Sequence, residues 1–553
     1  LQGDIDISRV RLDDHTLGRT LDLDSFRVNA FIADNESGGG RRYEIVSDWI
    51  EGGINGHFTP TRLPMIVGGL LSDAFPSLLN APKDWRENIY SDHLDFDFTL
   101  LRESGWSDFF RLPVKLLYEA NVSGELDAAS GLLSLSVDAP YIQQGRDKLI
   151  RQTTLDAGIS NRKARLNLNT VYPTKKGDLH LLADMMSTTG NIDMSLIFNP
   201  DRTTGFFGNI AMQLGITDSY YPAGKALSLH ILPSKLSLNG SEWNVAEANI
   251  DYFKNEAGGI ATINGFRISH DRQFVDITGI ASASTDDEVV VTLREIDLDY
   301  IFDTLNINYV SFGGRATGEA VGTALLSGDP QASTTRLHVD NFSYNHSVLG
   351  DAELHGDFDM AQKRVGISAD VAEAGRRVAK IDGGIWIGRD SLSFAMDADK
   401  VRIGFLQPFM SAFSSKVDGR ASGKALLYGT FSDIDMAGRM MADTIALKVD
   451  YTNVTYTGRD SVIITPGRIH IPSFTLHDEY GNSARLSGEL THRYFHDPEF
   501  DFRISDARNL LVYDTNPQIN PIWYGRIFGR GGGRILGRGN YVGVTADMAT
   551  PAN

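Results

Sequence analysis

A chain of 553 residues that is 42% hydrophobic, with 55 glycines and only 18 prolines, is turn-rich but neither collagen-like nor disordered. Its length suits three or four globular domains or one long repetitive one. A formal net charge of −19 argues against a general nucleic-acid or anionic-membrane binder, although a local basic patch still acts within a Debye length of roughly 8 Å. The absence of cysteine excludes disulfides, thiolate metal sites and cysteine nucleophiles, and fits an oxidising compartment where stray thiols mispair.

Leu1, Ile5 and Ile7 already alternate, and the chain stops at ATPAN without a terminating element. It is therefore expected to be a fragment, so missing targeting signals carry no weight. No apolar run reaches the ~18–20 residues of a membrane span. The stretch PTRLPMIVGGLLSDAFPSLL (60–79) has apolar residues at 63, 66, 67, 70 and 71, the spacing of a helix that packs on the core or caps one end of a sheet. From there a period of two dominates. HLDFDFTLL puts Leu94, Phe96, Phe98 and Leu100 on one face, and GLLSLSVDA does the same with Leu133, Leu135 and Val137. ARLNLNTVY (Leu166, Leu168), ALSLHIL (Leu227, Leu229), SKLSLNG (Leu236, Leu238), DTIALKVDY (Leu447, Val449) and RIHIPSFTL continue the pattern. Turn signals such as NEAGG, GRDS and DEYGN separate the runs, so hairpins and an antiparallel sheet are expected.

REIDLDYIFDTLNINY (294–309) and KVRIGFLQPFMSAF (400–413) each read as a strand running into a short helix. Both precede a near-identical motif, GRATGEA from Gly314 and GRASGKA from Gly419, an offset of 419 − 314 = 105. ANVSGEL at 120–126 is a weaker echo. Repeats of this kind stack and bury their faces against neighbours. The expected fold is all-β: an elongated antiparallel stack of strands with a few short helices. Its segments are 1–95, a strand module with the helix; 96–295, a repetitive β region; 296–400 and 401–505, the two repeat units; and 506–553.

Residues of catalytic type are scattered. None of the thirteen histidines has metal-ligand spacing, and His346 and His355 near Asp351 and Asp357 read best as polar residues on a solvated strand. No G-x-S-x-G elbow occurs. DEYGN lacks the spaced ligands of a calcium loop and reads as a hairpin turn. No catalytic residue, metal site or cofactor is assigned. The stretch WYGRIFGRGGGRILGRGNYVGV (523–544) fits neither a dinucleotide fingerprint nor a P-loop, and its glycines rule out a helix. Strand, tight GRGGGR turn and strand is the expectation. Arg526, Arg530, Arg534 and Arg538 would then form a small basic patch for lipid headgroups or, more simply, pair with neighbouring acids.

The order of cues from DGRASGKALLYG through NVTY and DEYGN to the WYG…GRG series and ATPAN resembles the TamB family, the inner-membrane component of the translocation and assembly module, in the form seen in Bacteroidetes-type bacteria. SDWIEGGINGHFTPTRLPMIVGGLLSDAFPSLL resembles an earlier module of the same family, so the likeness covers roughly 45–80 and 296–553. It makes 506–553 the start of the family's C-terminal region. The resemblance implies a non-enzymatic, AsmA-like bridge protein, anchored in the inner membrane by an N-terminal helix outside this sequence and crossing the periplasm as an elongated antiparallel curled sheet, a taco- or solenoid-like groove. Its implied partners are phospholipid acyl chains, an Omp85-type outer-membrane protein and client outer-membrane proteins, not nucleic acid.

One-faced strands need a cover for their apolar side, and acyl chains can supply it. Burying a tail of ~14 methylenes is worth on the order of 10 kcal/mol, yet sliding along a uniform groove costs little. About forty strands at ~4.8 Å would span roughly 150–200 Å. The groove candidates are Leu94, Phe96, Phe98, Leu133, Leu135, Val137, Leu166, Leu168, Leu227, Leu229, Leu236, Leu238, Leu447 and Val449. The alternatives are a scaffold that templates client strands at its sheet edges and, remotely, a β-solenoid acting on polysaccharide.

Overall fold

The computed structural model describes residues 3–550 apart from 15–17, 34–39, 88–91, 103–104, 110–111, 113, 145–147, 175–176, 189–190, 203–204, 221–222, 239, 256–257, 299–311, 361, 412–413, 431–432 and 539–540. The fold is all-β and antiparallel, with 34 strands among the described residues rather than about forty, because several strands are long. The chain divides into two units, Leu1–Asp271 and Arg272–Asn553.

In the first unit almost every strand pairs with the next in sequence. One exception lies in 207–270: Phe207–Tyr220 pairs with Ala223–Ile231 along one part and with Ser234–Leu238 along another, Ala223–Ile231 also pairs with Ala248–Asn255, and Ser241–Val245 pairs with Gly258–His270. The other is a short insertion between His93–Leu100 and its partner Ala120–Asp127. It carries helix α2 (Trp106–Phe109) and the strand Val114–Leu116. Helix α1 (Leu63–Ala74) forms where the 3.6-residue spacing anticipates it, after a 3-10 turn at Pro60–Arg62. Its Ile66, Leu70 and Ala74 pack against Trp85, Leu94, Leu126, Ile159 and Ala164 of the sheet. Gly69 is required there, since a Cβ at that position would lie 2.1 Å from the Trp85 ring.

The second unit is a meander whose neighbours pair in sequence throughout. The 105-residue repeat is a backbone repeat as well. Gly318 and Gly423 open equivalent stretches of strand at φ +157 and +142, and a Cβ on either would strike the carbonyl oxygen of Arg336 or Arg439. The expected helix after strand Ser391–Arg402 is present as the 3-10 turn Gly404–Leu406 and helix α3 (Gln407–Met410). Its counterpart in 294–309 falls largely outside the described residues.

The sheet curls within this unit. Four strands laid flat, three spacings of ~4.8 Å, would put Val454–Thr465 and His496–Thr515 roughly 14 Å apart. Instead the Asp514 amide donates to the Thr452 carbonyl at 3.0 Å, and the Tyr456 hydroxyl donates to the Leu511 carbonyl at 2.9 Å. Bulges in His496–Thr515, near Ile504, Ala507 and Leu511, turn the corner. The DEYGN turn is fastened to the same corner. Asp478, 4% exposed, accepts from the amides of Tyr480, Asn482 and Leu511.

One sequence expectation is corrected. GRGGGR is not a hairpin turn, because Gly525–Arg538 is a single strand between His496–Thr515 and Tyr541–Ala549. Its glycines serve packing more than turning: a Cβ on Gly537 would lie 2.2 Å from the Phe500 ring on the adjacent strand.

Candidate functional site: an open apolar face

Side chains alternate between faces of a strand, so the register of each pair decides which residues line up across the sheet. In the second unit one ladder takes a residue from every strand. It runs Val275, Leu293, Gly318, Leu337, Leu354, Ala369, Ile381, Met396, Ala425, Gly438, Ile464, Ile469, Leu490, Phe500, Gly537, Val542. All are apolar or glycine. Leu337, Leu354, Ile381, Met396, Ile469, Leu490 and Phe500 are only half-buried. The adjacent ladder, on the opposite face, runs Thr317, His338, Glu353, Asp370, Lys380, Asp397, Lys424, Arg439. The two faces therefore differ sharply in chemistry.

The first unit repeats the arrangement. Tyr43, Ile54, Phe96, Gly124, Leu135, Ala157, Leu166, Met185, Met194, Met212 and Ile231 form one row. Ile45, Gly52, Phe98, Val122, Val137, Leu155, Leu168, Ala183, Leu196 and Ile210 form the next on the same face. The intervening row on the other face is Asp97, Ser123, Ser136, Asp156, Asn167, Asp184, Ser195 and Asn209. Its polar groups satisfy one another: Ser136 donates to Asp156 and Ser195 to Asn209, both at 2.7 Å.

The sequence-derived groove candidates fall into two sets. Phe96, Phe98, Leu133, Leu135, Val137, Leu166, Leu168, Leu229 and Leu238 share the apolar face of the first unit and are half-buried, and Leu227 on that face is exposed. Of the others, Leu94 and Leu236 are buried, while Leu447 and Val449 are half-buried in the second unit. Leu94 lies under α1, Leu236 is buried against the Trp243 strand, and Leu447 packs with Ile403, Val417 and Ala421 near Val449. Sequence reading missed Met185, Met194 and Met212 and the central ladder of the second unit. The alternation is visible in NIDMSLIF, but only register shows that these residues meet.

Protein closes parts of the same faces. In the first unit α1 covers the Leu94–Leu126 end, and Trp106 of α2 packs with Leu21, Leu23, Leu116, Ala120 and Ala139. In the second unit Ala316, Val339, Ala352 and Val371 are fully buried.

The four arginines project from one face of Gly525–Arg538, which also places them opposite the ladder. Arg526 binds Asp514 at 2.9 Å, Arg534 binds both oxygens of Asp501, and Arg538 binds Glu499 at 2.9 Å. The hydrogen bond from Arg534 holds the Asp501 carboxyl below its ordinary pKa. Arg530 has no ion pair among the described residues. Pairing with acids, rather than a free cationic patch, thus accounts for three of the four. His346, His355, Asp351 and Asp357 do not converge: Asp351 accepts the Asn341 amide and Asp357 faces Arg364. No cluster of potential metal ligands occurs among the described residues. No described helix is long and apolar enough to cross a membrane. Comparison with known families, characterised proteins and solved structures finds no match to this chain.

Proposed function

We propose that this chain holds phospholipid acyl chains against its open apolar face and passes them between inner and outer membrane, in the manner of the TamB-like bridge proteins it resembles. The observation that carries the reading is the uninterrupted apolar ladder of the second unit, most of whose large side chains are half-buried, with Ile464 buried and Val542 exposed. A folded sandwich would bury such rungs against a second layer. An alkyl chain lying along the ladder would remove comparable area from water at about 0.8 kcal/mol per methylene. Because successive rungs are chemically alike, it would meet no deep minimum along the way. Transport on this reading needs no catalytic residue. An Omp85-type partner and client proteins belong to the same proposal.

The test is extraction and mass spectrometry of lipid from the chain purified without detergent from a Gram-negative periplasm. Several phospholipids per chain, reduced by Leu135→Arg at unchanged circular dichroism, is the expected result. A lipid-free, monodisperse protein would remove the conduit reading and leave the assembly scaffold.

A further inference from the structure

The loop between strands His496–Thr515 and Gly525–Arg538 carries the most exposed group of large apolar side chains in the second unit. Ile519, Ile522, Trp523 and Tyr524 are 52%, 77%, 72% and 60% exposed. No charged residue occurs from Thr515 to Gly525. The loop is nevertheless built rather than loose. The side-chain carbonyl of Asn516 accepts from the amides of Gln518 and Ile519, both at 3.0 Å. That of Asn520 accepts from Ile522 at 3.1 Å and Trp523 at 3.0 Å. The Trp523 carbonyl accepts from the Tyr513 hydroxyl at 2.7 Å and from Thr515 at 3.0 Å. Pro517 and Pro521 have no amide proton to satisfy. A neighbouring turn joins the base, where Asn453 donates to the Asp514 carbonyl at 2.7 Å and Tyr451 stands 77% exposed.

We infer that this loop is a wedge that enters the interfacial layer of a phospholipid bilayer. Entry into a low-dielectric layer favours backbone polar groups that already have partners, and the two asparagines supply them for the amides of Gln518, Ile519, Ile522 and Trp523. Trp and Tyr beside isoleucine suit the headgroup boundary, where one part of each ring is apolar and the other wet. The four side chains offer about 500 Å², taking roughly 150–250 Å² for each large ring. That is short of the ~800 Å² per partner of a stable protein interface, but a bilayer sets no such minimum. The nearest cation, Arg526, is held by Asp514, and Glu479 and Asp450 stand close in sequence to the Tyr480 and Tyr451 turns. Attachment therefore rests on apolar partition and not on anionic lipid. This inference does not depend on lipid running along the ladder.

The test is co-sedimentation of the full chain with phosphatidylcholine vesicles, with and without added phosphatidylglycerol, at low and high salt. Wild type should bind, with less than a two-fold change on adding anionic lipid or salt. The double substitution Ile522→Asp with Trp523→Asp should lower partition at least ten-fold, while Ile387→Asp, at another exposed isoleucine, should not. Leu135→Arg should bind vesicles as wild type does, which separates this inference from the lipid-carrying one. Equal binding by the double variant, failure of wild type to bind, or binding that appears only with anionic lipid would each overturn the wedge. Quenching by lipids brominated on the acyl chain adds a folding-independent readout. Trp523→Phe should remove most of it although five other tryptophans remain of the six, and unchanged quenching would count against insertion.

Discussion

Two neighbouring rungs on one face of the second unit have opposite fates. Ala316, Val339, Ala352, Val371, Ala379 and Ala398 line up across consecutive strands and are 0–4% exposed. Two residues along each strand, Gly318, Leu337, Leu354, Ala369, Ile381 and Met396 line up just as regularly, and their large members are half-buried. The small side chains pack with Phe342, Leu349 and Val401 of the same strands in one buried cluster. Larger ones hold an apolar strip open beside it. Hydrophobicity alone does not separate a core from a groove; side-chain volume and what lies above it do.

Charging each rung in turn gives the largest contrast. Val339→Asp places an unpaired carboxylate where exposure is 0%, and more than about 4 kcal/mol of destabilisation is expected. Ile381→Asp, one rung away, should cost about 1 kcal/mol or less, because water reaches the new charge. Urea denaturation of the two variants reads the difference directly. Equal losses would mean that the ladder is a closed core.

The first unit allows the same comparison through its helix. Gly69→Ala forces a methyl into the Trp85 ring, and overpacking of this kind costs about 1–3 kcal/mol. Lifting α1 should also expose Leu94, so phospholipid recovered per chain should rise or stay level, not fall. Leu135→Arg should do the reverse, leaving the thermal midpoint nearly unchanged while lowering bound lipid several-fold. A fall in lipid with Gly69→Ala would show that the helix-covered end belongs to the path.

The all-β class was legible because period-two alternation is a property of single strands: Phe96, Phe98, Leu133 and Leu135 needed no partner to reveal their face. The 105-residue repeat was legible for a related reason, as Gly318 and Gly423 answer the same backbone demand. Cover was not legible. Leu94 and Phe96 are equivalent by alternation and both pack with the α1 cluster, yet Leu94 is buried there and Phe96 at its edge is only half-buried. The GRGGGR stretch misled because glycine clusters usually mark turns, whereas here Gly537 makes room for Phe500.

The closed rung also has a polar clamp at its end, and pH tests it most gently. Arg402 and Arg420 face each other across adjacent strands, a like-charge pair that is unfavourable alone. Glu373, just beyond Val371, bonds Arg402 at 2.7 Å and Arg420 at 2.6 Å. The Arg420 hydrogen bond leads, with Arg402 assisting, in lowering the Glu373 pKa from 4.5 to about 2. A depressed carboxylate pKa means that the unfolded chain binds the proton more readily. The clamp's stabilisation is therefore complete above about pH 4.5 and is lost as pH falls through about 2. Glu373→Gln should lower the thermal midpoint at pH 7 by a few degrees, and the gap to wild type should narrow steadily below about pH 4.5. A gap that stays constant down to about pH 3 would mean that packing around Val371 and Val401, with no help from the ion cluster, keeps this edge shut.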